Sequence, residues 1–185
     1  MVNGADSYRR YLDGDDRGLS ELVEAYKDGL ILFLNTYVKD IHTAEELTEE
    51  TFFRLITRKP RFSGRSSFRS WLYAIGRHIA VDHLRRRARL ADAPAEDMEA
   101  LADEESLETA LIREERQKQV RRALAALHPD YRQALWLTYF EGFSNGEAAA
   151  ALGKNERQMR NLLYRAKQAM KTELQREGFE YDEEQ

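Results

Sequence analysis

Cysteine is missing altogether from the 185 residues. Its absence excludes a disulfide framework, a thiolate nucleophile and a cysteine-ligated zinc site, and fits a reducing compartment. Proline occurs only three times, at Pro60, Pro94 and Pro129, so long stretches lack the residue that interrupts helices most strongly. No apolar run approaches the roughly 20 residues of a membrane-spanning helix. Polar Asn3, Asp6 and Ser7 stand where a signal peptide would begin, so the expectation is a soluble, cytoplasmic chain with no direct membrane insertion. Catalytic constellations are equally scarce. His42 and His128 fall at helix boundaries, while His78 and His83 fall on different sides of one helix, so His78, Asp82 and His83 do not converge as metal ligands. No serine has a base beside it, and Gly153-Lys154 lacks the flanking residues of a phosphate loop. The expectation is a non-enzyme with no catalytic residue, no metal and no cofactor.

What the chain does have is segregated charge. The formal net charge is −4, yet residues 54–89 carry eleven basic side chains against Asp82 alone, a local net of +10. Residues 154–176 carry seven against Glu156 and Glu173, a local net of +5. Patches of this kind bind phosphate by releasing counterions even when the whole chain is acidic. Between them, residues 91–110 are rich in Ala, Asp and Glu and show no sustained apolar period, which reads as an acidic linker. The length suits one large or two small domains, and the two basic blocks separated by a polar stretch favour two small ones, placed at 1–90 and 111–185.

Apolar residues recur at three and four spacings and no strand pattern competes, so the expected fold is all-α, with two small helical domains. Leu19, Leu22, Val23, Tyr26, Leu30, Phe33, Leu34 and Tyr37 stripe a long helix that breaks near Lys39 to His42. Thr43 with Glu46 predicts a capping box for a second helix, with Leu47, Thr51, Phe52, Leu55 and Ile56 inward and an end before Pro60. A loop leads to a third helix with Phe68, Trp71, Leu72, Ile75 and Ile79 inward; Asp82, near that line, is expected to pair with His78 or Arg86. Beyond the linker, helices are expected to about Leu127 and from Pro129 to Glu141, with Gly142 as terminator. Ser144 with Glu147 and Asn155 with Gln158 predict two capping boxes on either side of a turn at Gly153.

Two helices joined by a Gly-bearing turn, the second polar and basic on its free face, have the geometry that places side chains in the major groove. Met159, Leu162, Leu163, Ala166 and Met170 would face in, leaving Arg157, Arg160, Asn161, Tyr164, Arg165 and Gln168 outward. Arginine and asparagine can each form paired bonds to a base edge; a solvated helix face accounts for the same pattern equally well. In the middle block, Arg69, Tyr73 and Arg77 are expected exposed beside Arg85, Arg86 and Arg87. Aromatics interleaved with arginines suit single-stranded nucleic acid, whereas Phe68 and Trp71 read as core. The acidic row Glu45, Glu46, Glu49 and Glu50 is explained by a helix N-terminus or by docking of a basic partner. From these residues alone a nucleic-acid-binding protein is expected, with an independent helix-turn-helix repressor and a helical enzyme acting on nucleic acid among the open readings.

Residues 43–55 (TAEELTEETFFRL) and 67–86 (SFRSWLYAIGRHIAVDHLRR) resemble conserved region two of extracytoplasmic-function (ECF) sigma factors. Residues 127–144 (LHPDYRQALWLTYFEGFS), with the helix-turn-helix ending at 163–167 (LYRAK), resemble region four. The resemblance implies a promoter-specificity subunit of bacterial RNA polymerase, with promoter DNA and core polymerase as partners and room for an anti-sigma factor. It implies that Glu46, Glu49, Glu50 and Phe53 dock on the clamp helices of the largest subunit, while the C-terminal domain meets the flap of the second-largest. Loop residues Phe62, Ser63, Gly64, Arg65 and Ser66, with Ser67, Tyr73, Arg77 and His78, would serve minus-ten recognition and melting around a flipped base. Arg85, Arg86 and Arg87 would track phosphates. Arg157, Arg160, Asn161, Tyr164 and Arg165 would read or grip the minus-thirty-five element. The chain departs from the family pattern in the run Ala148, Ala149, Ala150 and Ala151, in Gly146, in the start of the reading helix at Asn155 to Met159, and in His78 where many relatives have asparagine.

Overall fold

The stripe that begins at Leu19 winds into α2 (Arg17–Val38) of a computed structural model that describes residues 3–90 and 109–179. A helix that the periodicity did not announce precedes it: α1 (Gly4–Leu12), whose apolar line is little more than Tyr8 and Tyr11. Both tyrosines are buried against the neighbouring helices, and the Tyr8 hydroxyl donates to the Pro60 carbonyl at 2.8 Å. Burial pushes that phenol up to about 12.

Lys39 takes the left-handed conformation at φ 55° and ends α2; α3 (Ile41–Arg58) follows. Its cap is Asp40 and not the expected Thr43: the Asp40 carboxylate accepts from the Thr43 backbone N–H at 2.9 Å, which places Thr43 inside the first turn. Thr48 and Thr51 lie in the core without an unmet hydroxyl, because each donates to a carbonyl one turn back, at 2.8 and 2.7 Å. Ile56, expected inward, is 41% exposed. It follows fully buried Leu55 by one position, about 100° around the helix.

Past the loop, α4 (Phe68–Leu90) is opened by Ser67, whose hydroxyl accepts from the Ser70 N–H at 3.2 Å. Phe68, Leu72 and Ile79 are buried as expected, with Trp71 and Ile75 half-buried. Asp82 is exposed and pairs with Arg85 at 3.8 Å, three positions on, in place of the expected His78 or Arg86.

The C-terminal half comprises α5 (Thr109–Ala126), α6 (Pro129–Leu135), α7 (Asn145–Leu152) and α8 (Glu156–Arg176). The single helix expected from Pro129 to Glu141 changes at Trp136 into a π-helical turn (Trp136–Phe140). There the Glu141 N–H reaches back five residues to the Trp136 carbonyl at 3.1 Å, and the Trp136 and Phe140 rings stack at 4.6 Å. Both expected capping boxes are formed, and Gly153 makes the turn between α7 and α8 at φ 64°. Of the expected acidic linker, residues 91–108 lie outside the described residues, and its last two positions open α5. The acidic stretch from Glu180 onward lies outside them too.

All regular structure among the described residues is helical, as the spacing predicts. The two halves meet: α7 packs along α4 and α6 against α2, so that one apolar cluster runs from Tyr8 to Ala166.

Candidate nucleic-acid interface

An exposed row of polar side chains lies on α8. Asn155 accepts from the Gln158 N–H at 2.8 Å and Gln158 returns a bond to Asn155 at 2.9 Å, fixing the start of the helix. Met159, Leu163 and Ala166 are buried beneath it and Leu162 and Met170 half-buried. The opposite face therefore carries Arg157, Arg160, Asn161, Tyr164 and Arg165, all exposed as expected, with Tyr164 at 68%. Arg160 lies 3.8 Å from Glu156, one turn back, an exposed pair that a phosphate or base edge can displace.

The middle block is arranged differently from the expectation. Ser63, Gly64, Arg65, His78, Arg85, Arg86 and Arg87 are exposed, and Ser66 half-exposed. Phe62 instead turns inward, its ring 5.2 Å from Trp71 and edge-on to Phe68 at 5.5 Å. Tyr73, expected to be a free stacking ring, is only 1% exposed. The reason is tertiary: Phe143 from the C-terminal half lies 5.1 Å from its ring, and its hydroxyl donates to Glu141 at 2.8 Å. Burial, reinforced by that carboxylate, pushes the phenol far above its ordinary value. Arg69 is drawn into the same contact, 2.6 Å from Glu141 and over the Phe143 ring at 4.2 Å. Arg77 is half-buried beside the turn of the helix-turn-helix, with its Nε unpartnered.

On α3 the acidic row is exposed at Glu45, Glu46, Glu49 and Glu50, and Phe53 stands out at 58%. Glu50 binds Arg54 at 2.9 Å and Glu45 faces His42 at 3.5 Å. An apolar ring thus projects beside carboxylates on the same helix. A second apolar surface is a groove of about 310 Å³ between α5, the π-helical turn and α8. Leu124, Leu135 and Met170 line it, exposed Tyr139 and Phe140 form one side, and Lys167 and Lys171 the rim.

Three residues central to this arrangement escaped the sequence. Arg132 is buried with no carboxylate partner; its guanidinium donates to the carbonyls of Leu124, Ala125, Leu127 and Thr36 at 2.8–3.1 Å. Burial alone holds its pKa below the ordinary value. Glu141 reaches two side chains of α4. Gly29, inside α2, leaves space that a Cβ would fill, 2.5 Å from the Tyr73 hydroxyl and 2.8 Å from the Glu141 carboxylate. A glycine costs stability in the middle of a helix, and that cost was the one legible signal.

Among the described residues no helix is long and apolar enough to cross a membrane. The family described as Sigma-70 region 2 matches residues 22–90, and Sigma-70, region 4 matches residues 117–170. The chain is 36% identical over 158 residues to the ECF RNA polymerase sigma factor SigC of Mycobacterium tuberculosis, covering 85% of this chain and 83% of that protein. It is 30% identical over 169 residues to the ECF RNA polymerase sigma factor SigX of Bacillus subtilis, covering 88% and 87%. In fold it is similar to the sigma factor RpoE of Bartonella quintana, solved with the anti-sigma factor NepR, with a TM-score of 0.69 at 23% identity over 84% of this chain and 96% of that one. CnrH, solved with the cytosolic domain of CnrY, has a TM-score of 0.65 at 22% identity over 94% and 95%. With both regions present in order and relatives of this identity matching along most of its length, the chain belongs to the extracytoplasmic-function group of RNA polymerase sigma factors.

Proposed function

We propose that this sigma factor divides promoter recognition between its two basic faces and has no chemistry of its own. The observation that carries this reading is the exposed row on α8, held by a reciprocal cap and a left-handed glycine turn. Arg157, Arg160, Asn161, Tyr164 and Arg165 enter the major groove of the minus-thirty-five element, with Arg160 and Asn161 the residues suited to base edges. The exposed loop of Ser63, Gly64 and Arg65, with Ser66 and His78, holds a base flipped from the minus-ten element, and Arg85, Arg86 and Arg87 follow the adjacent phosphates. Glu46, Glu49, Glu50 and Phe53 dock on the clamp helices of core polymerase, a reading supported by their joint exposure on one stretch of α3. The groove beside Tyr139 and Phe140 receives the flap, whose docking needs an apolar seat. The protein works in the cytoplasm. An anti-sigma partner is supported by the fold shared with sigma factors solved in such complexes.

Run-off transcription with bacterial core polymerase, on promoter fragments selected from random DNA by the reconstituted holoenzyme, tests the reading. Stimulation of specific transcripts is expected. Duplex binding with no stimulation would instead favour a polymerase-independent repressor.

A further inference from the structure

We propose that α1 is a positioning element for minus-ten recognition: through Tyr8 it sets the loop that holds the flipped base. This rests on the reading of the loop at 62–66, with His78, as the holder of that base. α1 contributes none of the residues placed on DNA or polymerase above, and it precedes the region 2 match at residues 22–90. Its apolar line is little more than Tyr8 and Tyr11, and each meets one of the residues through which the chain leaves α3 for the loop. The Tyr8 hydroxyl donates to the Pro60 carbonyl at 2.8 Å, and the Lys59 ammonium lies 5.2 Å over the Tyr11 ring. Lys59 is held left-handed at φ 41°, a conformation disfavoured for a residue with a Cβ. The direction in which the chain enters the loop is therefore set by contacts with α1 and not by local preference.

The Tyr8 ring also supports Phe62, two residues past Pro60, through shared neighbours. It packs on Phe68 and Trp71, 5.5 Å from each, and these rings receive Phe62 at 5.5 and 5.2 Å. Phe62 is thereby an anchor of the loop and not a base-stacking ring. The far end is pinned where the Ser67 hydroxyl accepts from the Ser70 N–H at 3.2 Å. Only Ser63, Gly64, Arg65 and Ser66 span the two anchors, with Gly64 left-handed at φ 71°. Over so short a span a shift at one anchor moves the whole pocket, and a binding constellation tolerates only about 0.5 Å of misplacement. α1 is itself fixed on α2: a Cβ on Gly18 would collide with the Ser7 carbonyl oxygen, Ser7 donates to Glu21 at 2.6 Å, and Arg10 pairs with the same carboxylate. With its pKa pushed up to about 12 by burial, the Tyr8 phenol remains a donor at neutral pH.

Tyr8→Phe keeps the ring and removes the bond to Pro60. Tyr11→Phe is the matched control: it also deletes a phenolic hydroxyl from α1 and leaves the ring under Lys59. Holoenzymes reconstituted from each full chain with bacterial core polymerase are titrated with a single DNA strand carrying the selected minus-ten element, and with copies of it abasic at each position in turn. In the parent the largest loss marks the flipped base. Tyr8→Phe is expected to weaken binding of the intact strand about fivefold, the effect of one hydrogen bond, and to bind the strand abasic at that position as the parent does. Tyr11→Phe matches the parent on both strands. Co-elution with core polymerase, minus-thirty-five duplex binding and circular dichroism stay at parental values in both variants, whereas a merely structural role of Tyr8 would lower binding to every strand alike. Undiminished binding of the intact strand by Tyr8→Phe, an equal loss on the abasic strand, or the same loss in Tyr11→Phe overturns the proposal. A parent holoenzyme for which no abasic position matters more than its neighbours refutes the flipped-base reading, and the positioning role with it.

Discussion

Arg132→Met should remove a large part of the stability of the C-terminal half, although no carboxylate is lost as a partner. The last carbonyls of a helix have no intrahelical donor. At the end of α5 this chain meets them with one guanidinium, bonded to Leu124 at 3.0 Å, Ala125 at 2.8 Å and Leu127 at 3.0 Å. Hydrogen bonds to a charged group contribute about 1.5–3 kcal/mol each, and burying the cation costs several in return. A net loss of about 3–4 kcal/mol follows. A module of roughly 70 residues has only about 4–10 kcal/mol to lose. With a urea slope near 1 kcal/mol per molar, the unfolding midpoint should fall by about 3 M. The two tryptophans divide one to each half, Trp71 on α4 and Trp136 in the π-helical turn. In a Trp71→Phe background the remaining fluorescence therefore reports on the C-terminal half alone. Arg132→Lys should recover part of the loss, since an ammonium supplies charge but not the planar fork that reaches all the carbonyls. A midpoint change below about 1 M for Arg132→Met would refute the assignment of the helix end to this side chain.

Arg160→Ala should weaken binding at a selected minus-thirty-five site by about 1–3 kcal/mol and relax preference at one base pair; competition with variant duplexes reads this, and an equal loss on every sequence would make the residue a phosphate contact. Glu49→Lys combined with Glu50→Lys should abolish co-elution with core polymerase while leaving the circular dichroism unchanged, because both side chains are exposed and only the Glu50–Arg54 surface pair is lost. Retained co-elution would remove the docking role. The Ser144 N–H, then the Ser144 hydroxyl, hold the Glu147 carboxyl below its ordinary value of 4.5. Its contribution to stability is thus full above that value and lost as pH falls through the lower folded value. The urea midpoint should drop less between neutral pH and about pH 3 in Glu147→Gln than in the parent chain; equal drops would show that the cap carries no linkage.

Much of this protein was legible one turn at a time. Capping boxes at Ser144 and Asn155, the glycine turn at Gly153 and the outward row on α8 are relations between residues three or four apart, and each is formed as the spacing predicts. Locality also explains the near misses. Thr43 and Asp40 both suit a cap, and the choice rests on where the chain leaves α2. α1 carries too few apolar residues to reveal a period.

The sequence by itself determined the helices, their order, the basic outer face of α8 and the likeness to region two and region four, because propensity, periodicity and capping act within a few residues of chain. Only the tertiary structure decided that Tyr73 is covered, that Arg132 ends a helix and that Gly29 makes room for Glu141. These contacts join positions from 5 to 112 residues apart. The longest of them depend on which faces meet once helices pack, a choice made by shape and by the need of buried charge for partners, which no local pattern records.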